Sequence, residues 1–163
     1  MKITEKIRQE VTQIEHRNDL SVDEKISKIT HIACASCAGM SIQPLPFADI
    51  FVLTPMQAYF ASRIAAIYQV PLTENQALDW VKQMVGIVGL GMIAQQLALG
   101  VWKIVTVGTG GLLSIPLVYA LTYAIMKVAD AYFSHQAKQR DLSESEIKAI
   151  WKNALQQAKQ KHH

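Results

Sequence analysis

Apolar residues recur at helical spacing near both ends of the chain. At the start, Ile3, Ile7, Val11 and Ile14 are separated by four, four and three positions, with Lys, Glu, Arg and Gln between them. That spacing draws one narrow apolar stripe along a helix and predicts an amphipathic helix over residues 1–20. At the end, Ile147, Ile150, Trp151, Ala154, Leu155 and Ala158 share a face. They predict a second amphipathic helix over 143–161, opened by a capping box of Ser143 and Glu146.

Between these flanks the helix signals are capping boxes and prolines. Ser21 and Glu24 form an S-x-x-E box, so a helix starts near Val22 and runs toward Met40, ahead of the Gln43-Pro44 and Leu45-Pro46 pairs. Its second half, ITHIACASCAGM, is built of small residues that let another helix approach closely. Each residue before a proline is pushed out of the helical region, which makes the Pro44 and Pro46 segment a stiff extended corner. Phe47, Ala48 and Asp49 then turn the chain into a short helical or irregular piece. Thr54, Pro55 and Gln57 supply an N-cap, a first-turn proline and the far side of a T-x-x-Q box, predicting a new helix through about Val70. Pro71 closes it, and Thr73 with Gln76 opens the next.

Two long uncharged runs follow, one between Lys82 and Lys103 and one between Lys103 and Lys127. Each is about the length that a helix needs to cross the ~30 Å hydrocarbon layer of a membrane. The break between them, VGTGG, carries Gly108, Gly110 and Gly111, which suit a tight reversal. A helical hairpin over 83–126 is expected, its first arm lined with glycine and alanine as helices packed in lipid commonly are. Its second arm is expected to continue past Met126. No internal repeat, low-complexity linker or strand stands out. The expected fold is all-α: one helical domain over 1–163, an apolar core over 22–133 with a Gly-rich hairpin, and amphipathic helices on either side.

Charge sharpens this picture. Residues 1–30 hold six basic and six acidic side chains and residues 127–163 hold seven and four, whereas the long stretch between them holds only Asp49, Arg63, Glu74, Asp79, Lys82 and Lys103. A charged frame encloses an almost uncharged middle. The net charge of +3 is small and the basic residues of the tail alternate with acidic ones, which argues against a nucleic-acid partner. No secretory signal pattern is visible. Two cysteines three residues apart do not suggest a disulfide framework, which fits a reducing compartment. His162 and His163, at the end of the sequence, carry no argument.

Candidate chemistry is sparse. His31, Cys34 and Cys37 follow one another at three-residue steps and lie within about 120° around a helix. Three soft ligands there would suit a metal or a redox role, but no second Cys or His pair stands at zinc-site spacing, and cysteine is a common small residue in close helix contacts. Packing is the preferred reading. GTGGLLS lacks the lysine that a phosphate loop requires, and no hydrolase or metalloprotease motif occurs. Tyr119, Thr122, Tyr123 and Met126 form one mixed face, read as packing or membrane-boundary tyrosines ahead of a polar path in an oligomer. Asp49 and Arg63 are read structurally, Asp49 capping a helix start and Arg63 paired or snorkelling; the competing reading makes them a switch or a site. No catalytic, cofactor-binding or metal-binding residue is assigned.

Over PLPFADIFVLTPMQAYFASRIAAIYQV the sequence resembles the YcjF-like bacterial family of unknown function, which often stands C-terminal to an Era-like or dynamin-like GTPase domain. The resemblance rests on Pro44, Pro46, Phe47, Ala48, Asp49, Leu53, Thr54, Pro55, Gln57, Ala66 and Tyr68, and the glycine-rich stretch that follows extends it through most of the apolar middle of the chain. Two departures stand out: the family's usual glycine after the tyrosine is Gln69, and this sequence carries no GTPase domain. The resemblance implies membrane association and a functional link to a GTPase supplied by another chain. It assigns no catalytic residue.

The expected function is therefore that of a non-enzymatic, membrane-associated helical protein. Its expected partners are lipid, further copies of itself and a GTPase in trans, at the cytoplasmic membrane with both flanks facing the cytosol. The alternatives are a soluble, cytoplasmic helical bundle in which the hairpin is the buried core, and, third, a metal or redox protein using His31, Cys34 and Cys37.

Overall fold

The computed structural model describes residues 2–40, 48–89 and 110–160. Among them the chain is all-helical, with α1 Lys2–His16, α2 Val22–Met40, α3 Ala48–Ile67, α4 Glu74–Val88, α5 Gly110–Ala137 and α6 Glu144–Gln160. Three helix starts are fixed by reciprocal capping boxes. Ser21 N–H donates to the Glu24 carboxylate at 2.8 Å while Glu24 N–H donates to Ser21 Oγ at 3.2 Å. Thr73 with Gln76 and Ser143 with Glu146 repeat the exchange. Each box satisfies two backbone donors that a helix start would otherwise leave open.

Two helix ends are equally specific. Beyond α3, Gln69 takes φ 60°, with Gln69 N–H bonded to Ala66 O and Val70 N–H to Ala65 O, both at 2.9 Å. Beyond α5, Gln139 takes φ 56°, with Gln139 N–H bonded to Gln136 O at 3.0 Å and Arg140 N–H to His135 O at 2.9 Å. Both are Schellman closures with glutamine where glycine is the unstrained choice. The two corners read YQVPLTENQ over 68–76 and KQRDLSESE over 138–146. Glutamine, leucine, a hydroxyl cap, glutamate and a box-closing Gln or Glu recur in the same order and at the same spacing in both. The chain thus uses one helix–corner–helix unit twice, although no internal repeat was expected from the sequence.

α5 lies at the centre. Its Leu121, Ala124, Ile125, Met126, Val128 and Phe133 are buried in one cluster with residues of every other helix, including Val11, Ile29, Phe60, Ile64, Met84 and Trp151. Trp80 of α4 packs tilted on Phe133 at 5.1 Å and edge-on to Tyr132 at 5.6 Å. At one end Cys37 of α2, Leu53 of α3 and Val118 of α5 meet in a separate buried cluster. The small-residue half of α2 performs as expected there: Ala33, Cys34, Cys37 and Ala38 are buried, which brings α2 close to α3 and α5.

The structure alters four expectations. Pro55 does not begin a helix but lies inside α3, and Thr54 is likewise internal. A proline at that point removes one intrahelical hydrogen bond; burial of Leu53 against Cys37 and Val118 holds the preceding turn, so the short piece from Ala48 and the later helix are one. The uncharged run after Lys82 is interrupted at Gly89, where φ 100° ends α4 and the Gly89 N–H donates to Val85 O at 3.1 Å. Gly110 and Gly111 open α5 instead of forming a turn. Finally, no helix among the described residues is long and apolar enough to cross a membrane. α5 has the length, 28 residues, but carries Lys127, Asp130 and His135 in its second half.

Pro44, Pro46, Phe47 and Gly108 lie outside the described residues. The backbone of Asp49 falls in the first turn of α3, a position where an acidic residue complements the helix dipole.

Candidate functional site

The motif residues that α3 carries are wired to different partners. Gln57 is buried and points inward, its Nε2 donating to Thr122 Oγ1 of α5 at 3.1 Å. Thr122, itself fully buried, also hydrogen-bonds the Cys37 thiol. Burial pushes that thiol up to about 12, with the Thr122 bond acting weakly in the opposite direction. A thiol held protonated in this way is a packing group with little nucleophilic character.

Tyr68, just past α3, donates from its hydroxyl to Asp130 Oδ1 of α5 at 2.5 Å. Burial first, and then the neighbouring carboxylate, raises the Tyr68 phenol above its ordinary range. Tyr123 reaches from α5 to Gln157 of α6 at 3.4 Å, and Lys127 Nζ stands 5.5 Å from the Tyr123 ring centre. The mixed face Tyr119, Thr122, Tyr123 and Met126 is therefore a layer of interhelical contacts: Thr122, Tyr123 and Met126 are buried and Tyr119 is half-buried.

The outer face of α3 carries the charged part of the site. The Arg63 guanidinium is 3.4 Å from the Glu15 carboxylate of α1; of the two structural placements expected for it, paired or snorkelling, the contact matches the first. Two guanidinium groups stand over the Tyr59 ring, Arg8 at 5.0 Å and Arg63 at 5.8 Å from its centre. Burial raises the Tyr59 phenol while the two cations oppose the shift. Arg8 also faces Glu74, the first residue of α4, at 3.9 Å. A hollow of about 190 Å³ opens beside this stack, lined by Arg8, Pro55, Tyr59, Ser62, Glu74 and Asn75.

His31, Cys34 and Cys37 do not converge. His31 is exposed, while Cys34 and Cys37 are buried as thiols on the side facing α3 and α5. Among the described residues no group of three or more His, Cys, Asp or Glu side chains comes together in a way that could hold a metal ion.

The sequence pointed to Gln57, Arg63 and Tyr68, and to Thr122 on its mixed face, but not to the pairing of Gln57 with Thr122, nor to Glu15 and Asp130 as partners of Arg63 and Tyr68; the paired residues lie 65, 48 and 62 positions apart. The available signal was that each is a polar residue on an otherwise apolar helical face, where burial demands a partner.

These contacts define an all-helical bundle organised around one motif-bearing helix, α3, and one central helix, α5. The chain belongs to the family described as a domain of unknown function, DUF697, whose sequence profile matches residues 2–160. No curated protein and no solved structure matches the chain.

Proposed function

We propose that this protein is a non-enzymatic helical module that attaches to a membrane through the apolar stretch 90–109, with its bundle on the cytosolic side. The observation that carries the reading is a contrast in apolar surface. Among the side chains whose burial is described, Val22 is the one large apolar residue left exposed, at 44%. The stretch 90–109, by comparison, has a single charged residue, Lys103. The apolar side chains whose burial is described are used in the bundle; 90–109 is the longest apolar run outside them and is the candidate for contact with lipid.

Length decides the mode of contact. Helices α4 and α5, at the two ends of this stretch, belong to one bundle, so both ends stand on the same side of any bilayer. A stretch of this length suffices for one crossing of ~30 Å and not for a crossing with return. α5 from Val118 onward is taken up by the core. These points support an interfacial or re-entrant attachment over the full transmembrane hairpin expected from the sequence. Further copies of the chain and a GTPase in trans are the protein partners this reading carries, the second through the family resemblance alone.

The competing reading is an interaction module without lipid contact, favoured by the burial of α5 within the chain's own bundle. Fractionation of cells expressing the protein separates the two. The proposed reading expects recovery with membranes in low salt and partial release by alkaline carbonate; recovery in the soluble fraction alone would support the competitor.

A further inference from the structure

The first helix is seated differently from the others. Val11 and Ile14 are buried and Ile7 is half-buried, so one short stripe attaches α1. Hollows border it on both flanks. The 190 Å³ hollow beside Arg8 and Tyr59 adjoins another of about 110 Å³ between Ile7 and Met56, and an open one of about 580 Å³ separates Gln13 and Arg17 from Lys28 and His31.

Its polar attachments are Glu15 to Arg63 at 3.4 Å, Arg8 to Glu74 at 3.9 Å, Arg8 over the Tyr59 ring, and Lys25 Nζ of α2 donating to the Glu15 carbonyl at 2.9 Å. Glu15 is more enclosed than Arg63, its side chain 15% exposed against 31%. The link to α2 is the short segment 17–21, folded by a contact between Arg17 and Asp19. Fully extended, a segment of that length reaches up to ~17 Å.

We propose that α1 is a releasable arm, and that the seat it leaves on α2 and α3 receives α1 of a second copy, with Glu15 of one chain on Arg63 of the other. The occupant follows from complementarity. The seat offers an apolar strip ending in a half-buried guanidinium, and α1 presents Ile7, Val11 and Ile14 followed at once by a carboxylate. Exchange of an identical element keeps every contact of the closed form, so the two-chain state requires only an opened hinge and association. This deepens the oligomeric part of the proposed function. It is independent of lipid: arm exchange is read by mass and lipid contact by vesicle binding, so either can fail alone.

Reversed charges test it with full-length chains. Glu15→Arg opposes Arg63 with a like charge, and Arg63→Glu does the same to Glu15. Each variant alone is expected to lose hydrogen-exchange protection in residues 5–16 while α5 stays protected. Mixed in equal amounts they are expected to form a 1:1 heterodimer by native mass spectrometry with protection regained, because exchange lets the arginine of one chain meet the glutamate of the other. The chain carrying both changes is expected to regain protection unmixed. Wild-type protection of α1 in both single variants, or an equimolar mixture with no heterodimer, overturns the proposal.

A cross-link reads the position of the arm directly. In a Cys34→Ala, Cys37→Ala background, chains with Glu15→Cys are expected to form disulfides with chains carrying Arg63→Cys in preference to themselves. Equal self-linking and cross-linking overturns it.

Discussion

Gln57 of α3 donates a hydrogen bond to Thr122 of α5 across 3.1 Å in the buried interior. Their helices run side by side in the same direction, with Leu53 beside Val118 below this pair and Tyr68 bonded to Asp130 above it. Because an unmade bond in the interior costs more than a made one contributes, the pair has a distinctive mutational signature. Thr122→Val leaves the Gln57 amide without its acceptor and is expected to cost about 1–3 kcal/mol. Combining it with Gln57→Leu is expected to cost less than the sum of the two single changes, measured by urea denaturation. Simple additivity would mean that the contact contributes nothing.

The corners give a prediction of opposite sign. Gln69 and Gln139 stand at φ 60° and 56°, where a side chain carries a steric penalty that glycine lacks. Gln69→Gly and Gln139→Gly are each expected to raise stability by about 0.5–1 kcal/mol, the relief being offset in part by the greater freedom of glycine in the unfolded chain. A lowered melting temperature in both would show that the glutamine side chains make contacts worth more than the strain.

Acid should act selectively on the helix starts. Backbone N–H and hydroxyl bonds from Ser21 and Ser143 hold the Glu24 and Glu146 carboxyls below their ordinary range. A folded-state pKa depressed below the unfolded value contributes stability above about pH 4.3, which is lost as pH falls through the folded value. The third box closes with neutral Gln76 and has no such dependence. Glu24→Gln and Glu146→Gln are therefore expected to flatten the acid limb of a stability–pH curve. Gln76→Glu is expected to steepen it. Parallel curves for all three variants would sever the link between capping and acid sensitivity.

The cysteines should report global opening. With Cys34 and Cys37 buried and the Cys37 thiol pushed up to about 12, alkylation at pH 8 is expected to follow the unfolding equilibrium rather than thiol chemistry. Cys34→Ala with Cys37→Ala is expected to preserve the helical circular dichroism. Rapid labelling of the folded protein would contradict the burial described.

The parts of this fold that could be read from sequence were local. Ser21 with Glu24, Thr73 with Gln76 and Ser143 with Glu146 each carry their whole mechanism within one helical turn, and the amphipathic stripe of α6 needs only its own spacing. Thr54, Pro55 and Gln57 spell the same signal and mean something else, because Thr122, far along the chain in α5, claims Gln57 and Leu53 is buried ahead of the proline. A long uncharged run is likewise ambiguous between lipid and core; α5 became core because Ile29, Phe60, Ile64 and Trp151 join it in one buried cluster. The repeated corner was legible in YQVPLTENQ and KQRDLSESE, but only once the left-handed glutamines showed which letters matter. Of the site, Arg63 was expected to be paired or to snorkel; it pairs with Glu15, 48 positions away in α1, a separation over which no local spacing points to the partner.

Vesicle flotation tests the central claim, attachment through 90–109, most directly. The full chain is mixed with phosphatidylethanolamine–phosphatidylglycerol vesicles and spun through a density gradient, beside a variant with Leu97→Lys and Leu99→Lys. The wild type is expected to rise with the vesicles, while the variant, with an unchanged melting temperature, remains at the bottom. A wild-type protein that stays at the bottom without detergent, or a variant that floats equally well, would contradict attachment through this stretch.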